Sequence, residues 1–244
     1  MTLEYFLVVF AGGLAGGFVN GLTGFGTGIT ALGIWLTVLS PTVAATLVVV
    51  CSLVAQLQTL PKIWSTIEPS RVAPFILPGL IGVPAGTALL AFVDVRSFKF
   101  AIGVLILAYS LHSLLFRSRA PLTWGGRIAD GAIGFGGGVL GGLAGSSGPL
   151  PTVWADVRGW SKVQRRSVFQ AFNLTIIFAA LASHMAAGLV TQELLTAVIA
   201  ALPGTFLGAW AGVTVYGRVS DKRFKQTVLI LLSISGLALV LSNL

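Results

Sequence analysis

The stretch NGLTGFGTG, Asn20 to Gly28, lies inside a long apolar run and carries four glycines in nine residues. Each glycine in a helix interior costs roughly 0.8–1 kcal/mol relative to alanine, so a cluster of four predicts a broken helix. A second such cluster, GLAGSSGP at 142–149, aligns with GLTGFGTG at 21–28 at an offset of 121 residues. Upstream, Gly13, Gly16 and Gly17 find Gly134, Gly137 and Gly138 at the same offset. A break of this kind has one meaning in a soluble domain and another in a bilayer, so composition decides how it is read.

Only 9% of the 244 residues are charged and 55% are hydrophobic. Soluble domains carry about 25% charged residues. Such a chain cannot cover a surface facing water, and the expected fold class is an all-α polytopic membrane protein. The net charge of +8 does not point to nucleic acid. The basic residues sit in short loops between apolar segments, as the positive-inside rule expects, and no basic stripe with interleaved aromatics is present. The single cysteine, Cys51, excludes an intrachain disulfide. His112 and His184 are far apart and lack metal-ligand spacing, so no metal and no cofactor is expected. The N-terminal run MTLEYFLVVFAGG has no positive n-region, which argues against a signal peptide and for a part of the mature fold.

A membrane-spanning helix needs about 20 apolar residues. Apolar segments lie near 4–38, 41–61, 72–93, 98–116, 128–155, 167–189, 194–216 and 224–243. They fall into two matched halves, a first membrane repeat at 1–119 and a second at 120–244, within one integral membrane domain. LPGLIGVPAG at 77–86 resembles LPGTFLGAWAG at 202–212, and RSFKF at 96–100 resembles KRFKQ at 222–226. Each half therefore holds a glycine-broken element, a plain one, one with Pro-Gly and small residues, and a plain one. Gly82 with Gly86, and Gly208 with Gly212, are small-xxx-small pairs that let helices approach closely.

Counting lysine and arginine tests the orientation of these segments. With eight full spans, the basic residues divide 10 against 5 between the two faces. If both glycine-broken elements dip in and return to the same face, the division becomes 13 against 2, with only Arg96 and Lys99 outside. The second arrangement obeys the positive-inside rule better and gives the halves opposite orientation, a common transporter plan. Glu4 to Leu39, at 36 residues, is long enough for two half-helices meeting at Asn20–Gly28. Both arrangements place both termini outside.

Non-helical backbone at membrane depth survives only inside protein or along a wet cavity. A broken helix exposes N–H groups with partial positive charge, a ready site for an anion. The first break offers Asn20, Thr23, Gly24, Phe25, Gly26, Thr27 and Gly28. The second offers Gly145, Ser146, Ser147 and Gly148, with Pro149 suited to the first turn of a following half-helix. Neither break holds a carboxylate, which a cation site would usually recruit. Ser52, Gln56 and Gln58 follow the first break. Gln170 and Asn173 follow the second on a common helical face and are the better candidates for the site. Arg165 and Arg166 begin the same helix, as cytoplasmic anchors or as an anion vestibule. All seven acidic residues fall near segment ends, so no carboxylate proton relay is expected. His184 reads as an interfacial histidine. GFGGGVLGG superficially suits a dinucleotide fingerprint but has no βαβ context.

Two four-element halves, each opened by a glycine break, resemble the TauE/SafE family of sulfite and organosulfonate exporters. GGFVNGLTGFGTG at 16–28, GGLAGSSGP at 141–149 and QRRSVFQAFN at 164–173 carry the resemblance, which covers essentially the whole chain. It implies a permease of the bacterial inner membrane that moves small sulfur-containing or carboxylate anions, usually outward. Family members often have a richer glycine run in the second break, where this chain has Ser146 and Ser147.

The sequence thus predicts a secondary transporter for a small organic or sulfur oxyanion. The alternative is a facilitative channel for an anion or neutral solute; a membrane-embedded enzyme or assembly subunit is not expected, because no nucleophile–base pair, ligand cluster or cofactor motif supports catalysis. The expected partners are a small anionic solute and the lipid bilayer, with room for a homodimer and none for nucleic acid.

Overall fold

The computed structural model describes residues 3–59, 67–115, 124–160 and 162–216, and beyond these only positions 233, 236, 237, 240 and 241. The last apolar segment, 224–243, and the KRFKQ motif therefore lie almost wholly outside the described residues, as do the side chains of Arg165 and Arg166.

Every regular element among the described residues is a helix: α1 Leu3–Thr23, α2 Thr27–Trp35, α3 Pro41–Thr59, α4 Pro69–Leu90, α5 Val95–Leu115, α6 Gly126–Ala144, α7 Pro149–Val157, α8 Lys162–Ala186 and α9 Gln192–Tyr216. Proline opens α3, α4 and α7, where its fixed φ suits a first turn and its missing N–H costs nothing. Asp94 opens α5, its carboxylate accepting the N–H of Arg96 at 2.9 Å and of Ser97 at 3.0 Å. Residues Leu3–Thr23, Pro41–Gln58, Pro69–Leu90, Val168–Ala186 and Gln192–Val215 are long and apolar enough to cross a membrane. Leu77, Ile81, Phe92, Ile199 and Trp210 are among the large apolar side chains left exposed on them or beside them, the kind of surface that lipid covers.

The longest packed interfaces join α1 to α9 and α4 to α6, and glycines make both. Gly13, Gly17 and Gly21 of α1 lie against the carbonyls of Ala201, Thr205 and Ala209. In return, Gly204, Gly208 and Gly212 of α9 lie against those of Phe10, Leu14 and Phe18. The numbers rise together, so the two helices are parallel. On the other side, Gly134, Gly138 and Gly142 of α6 meet the carbonyls of Phe75, Gly79 and Val83, again in parallel. Backbones this close exclude any Cβ and gain van der Waals contact along the whole helix. Pro74, Pro78 and Pro84 interrupt the ladder of α4, a defect tolerated where a neighbouring helix packs on it.

The two long glycine-bearing elements do not continue through their breaks as kinked spans. Each turns back on itself. Gly16 of α1 faces Thr27 and Ala31, a Cβ there standing 3.1 Å from each side chain. Farther from the break, Gly12 lies on the Trp35 indole, whose Nε1–H donates to the Val9 carbonyl at 2.9 Å. So α2 runs antiparallel beside α1. The second element repeats the plan: Gly136 faces Leu150, and the Trp154 indole donates to the Asp130 carboxylate at 2.7 Å. Beyond that bond, Arg158 donates to the Trp124 carbonyl at 3.1 Å and its guanidinium lies 5.6 Å from the Trp154 ring centre.

Unequal arms correct the expectation of two half-helices. α1 has 21 residues, about 32 Å of helix, and α2 has nine, about 14 Å. The break itself is only Gly24–Gly26, because Asn20 and Thr23 belong to the last turn of α1, and Thr27 and Gly28 to the first turn of α2.

Candidate functional site

Both breaks need backbone that only glycine adopts at ease. Gly26 precedes α2 with φ 110°. Gly145 ends α6 with φ 61°, its N–H donating to the Gly141 carbonyl at 2.9 Å and the next N–H, of Ser146, to Leu140 at 3.2 Å.

The folded chain brings the two breaks into contact. A Cβ on Gly28 would collide with the Ser146 hydroxyl, and one on Gly148 would lie 2.6 Å from the Phe25 ring. The Phe25 ring also meets Phe169 of α8 edge to face, 6.5 Å between centres. Gly24 is flanked by two glutamines: Gln170 of α8 within van der Waals contact of a Cβ there, and Gln56 of α3, whose Nε2 donates to the Gly24 carbonyl at 3.2 Å. Ser147 donates its hydroxyl to Asn173 Oδ1. The residues singled out from the sequence in the two breaks and on α8 thus form one cluster, and Asn20, Gln56, Ser146, Ser147, Gln170 and Asn173 are all buried in it.

Several of the hydroxyls are engaged within the breaks. The Thr23 hydroxyl shares its one proton between the Val19 carbonyl, at 2.9 Å, and the Phe25 carbonyl, and accepts the Phe25 N–H at 3.3 Å. It holds the turn in shape. Thr27 Oγ1 accepts from Asn20 Nδ2 at 2.8 Å, leaving Asn20 Oδ1 with no hydrogen-bond partner.

Four of the carbonyls around the breaks are also engaged. Asn20 O accepts from Gly24 N–H at 2.7 Å, Gly24 O from Gln56, Phe25 O from Thr23, and Gly142 O from His184 at 2.6 Å. The two helix starts differ in donors. α2 opens Thr-Gly-Ile, whereas α7 opens Pro149-Leu150-Pro151, and two prolines remove two of its first N–H groups.

His184, in the last turn of α8, is fully buried between three helices, Nδ1 3.0 Å from the Thr46 hydroxyl of α3 and Nε2 against Gly142 of α6. Asp130, near the start of α6, is buried as well. Gln56, named among the intramembrane amides but not among the site candidates, belongs to the cluster. The signal available was Ser52, which aligns with Asn173 at the offset of 121 and shares a helical face with Gln56.

Comparison with curated proteins gives no match, and comparison with solved structures gives none. The family model described as sulfite exporter TauE/SafE matches residues 9–239. That match covers nearly the whole described fold, both breaks included, and the chain belongs to the TauE/SafE family of membrane transporters.

Proposed function

We propose that the protein is a carrier that exports a small anion, such as sulfite, an organosulfonate or a related organic acid, across a bacterial inner membrane. The anion binds where the two glycine breaks meet. The single observation that carries this reading is the direct contact of the breaks, Gly28 on Ser146 and Phe25 on Gly148. The chemistry of the junction favours an anion. Neither break holds a carboxylate, whereas the N-terminus of α2 and the side-chain amides supply donors.

The geometry also supports two inverted repeats. Thr46 of α3 meets His184 of α8, while Gln56 and Gln170 meet across Gly24. As one number rises the other falls, so these two equivalent elements run antiparallel, as inversion requires and as parallel repeats forbid. The contact of Gly28 with Ser146 returns, within one residue of the offset, as that of Phe25 with Gly148. A pseudo-two-fold axis between the breaks would produce that exchange. Each hairpin then enters from its own face, the termini lie outside, and the basic residues collect inside.

The test is flux of sulfite from liposomes containing the purified chain. A carrier gives saturable flux that Ser147→Val or Asn20→Leu reduces at least tenfold at low sulfite. Flux that rises linearly with concentration indicates a channel. Unchanged flux in both variants removes the site.

A further inference from the structure

We infer that the solute enters this site carrying a proton of its own, and that Asn20 is the residue that reads it. The inference rests on the anion-carrier reading above and narrows it to oxyanions that keep one O–H group.

Three observations meet at Asn20. Its side chain is 1% exposed. Its Nδ2 donates to Thr27 Oγ1 at 2.8 Å, which lays the amide against the first residue of α2. Its Oδ1 accepts no hydrogen bond. Buried carbonyl oxygens are nearly always paired, so this one marks a place where a donor arrives from outside the chain. The start of α2, beside it, wants the opposite: its N–H groups and partial positive charge call for negative oxygen.

A bare anion serves the helix end and leaves Asn20 Oδ1 facing another acceptor. A metal cation serves Asn20 and is repelled by the helix end. A hydrogen oxyanion serves both. Its charged oxygens face the α2 N–H groups, and its O–H donates to Asn20 Oδ1. One proton then crosses with each anion, and no protein carboxylate has to carry it. Asp130, the one buried carboxylate among the described residues, is held by Trp154 beside the far end of the second hairpin.

The titratable groups around Asn20 are few. On α1 they are Glu4 and Tyr5, in its first two turns, with Glu193 of α9 beside Tyr5. α2 has none. α3 brings Cys51, which is fully buried. α6 brings Arg127 and Asp130, and α8 brings His184, bonded to Thr46 and Gly142, together with Lys162, Arg165 and Arg166, whose side chains lie outside the described residues. The Asp156 side chain of α7 lies outside the described residues. His184 is the side chain of this set whose ordinary titration falls near neutral pH, so its replacement is the control.

The experiment measures equilibrium binding of sulfite and of methanesulfonate to the full-length purified protein across pH. Methanesulfonate has the same single charge as hydrogensulfite and no proton to give. Sulfite affinity should fall about tenfold per pH unit above the pH at which hydrogensulfite ionises, because only the protonated fraction is competent. Methanesulfonate should bind at least tenfold more weakly, with no pH dependence. His184→Gln should keep both behaviours, and Asn20→Leu should bring the two anions within about threefold of each other. A sulfite affinity that does not change with pH overturns the inference, as does methanesulfonate binding equal to hydrogensulfite, while the anion-carrier reading survives either. A pH dependence lost in His184→Gln places the proton on the protein and also overturns it. Absence of binding by both anions overturns the inference together with the carrier reading beneath it.

Discussion

A Cβ on Gly148 would lie 2.6 Å from Phe25 Cδ2 and 2.9 Å from its Cβ, closer than carbon atoms settle without one of them moving. Overpacking of this kind costs about 1–3 kcal/mol. Gly148→Ala should therefore lower the thermal unfolding midpoint in detergent, and Phe25→Ala in the same chain should recover part of the loss. Full additivity of the two substitutions would show that the breaks are not in contact. Ser147→Ala poses a different question, because it leaves Asn173 Oδ1 buried without its donor. A buried group stranded in this way costs about 1–3 kcal/mol. Ser147→Thr keeps the hydroxyl and should unfold nearer the parent chain than Ser147→Ala does, an order that calorimetry would reveal. Which residue types gather at the site was legible in the sequence, since amides, hydroxyls and glycine clusters are conspicuous in an apolar run. How their protons are shared was not. Whether Thr23 offers its hydroxyl to a solute or turns it on Phe25 depends on the path of three backbone residues, and periodicity carries no information about that path.

Each hairpin is fastened by an indole that reaches from the short arm to the long one, and the two fastenings differ in strength. Trp35 donates to a backbone carbonyl, whereas Trp154 donates to a carboxylate. A hydrogen bond between neutral groups contributes about 0.5–1.5 kcal/mol and one to a charged group about 1.5–3 kcal/mol. Trp154→Phe should thus destabilise the protein more than Trp35→Phe does, and the comparison of their unfolding midpoints checks it. Equal losses would mean that the carboxylate bond adds nothing. The acceptors, Val9 and Asp130, stand at the same offset of 121 as the glycines, yet nothing about a valine announces a fastening through its carbonyl. The positions of the breaks were plain from composition, and the lysine and arginine count favoured their reversal without fixing it. A glycine cluster permits a kink as readily as a turn-back. Only the meeting of Gly16 with Thr27 and Ala31, and of Val9 with Trp35, separates the two.

At the scale of the molecule, glycine rows along α1–α9 and α4–α6 tie the third element of each half to the first element of the other. Such an exchange gives the glycines that match at the offset of 121 a shared packing role. Neither half can close its long glycine face alone, and each supplies the carbonyl row on which the other rests. Gly138→Leu, placed on the Gly79 carbonyl, should separate α4 from α6 and abolish sulfite flux while leaving the chain in the membrane. Flux at the parental rate would show that this seam has no part in forming the site. A preference for inverted halves was legible in the distribution of lysine and arginine, because the cost of moving charge across a bilayer leaves its mark on loops. The seam was less so, since the sequence gives the partner of a small-xxx-small pair no name.

Opposed hairpins make one demand that no other arrangement of these helices makes. The connection after α2 must face outward and the connection after α7 must face the cytoplasm, whereas eight simple spans put both on the cytoplasmic face. Single cysteines at Ser40 and Ser161, in a Cys51→Ala background, exposed to a membrane-impermeant thiol reagent in intact cells, measure this directly. Reaction at position 40 from outside, with position 161 reacting only after the membrane is opened, is the result expected of two hairpins meeting from opposite faces. Protection of both positions until the membrane is opened would contradict it and dissolve the paired site with it.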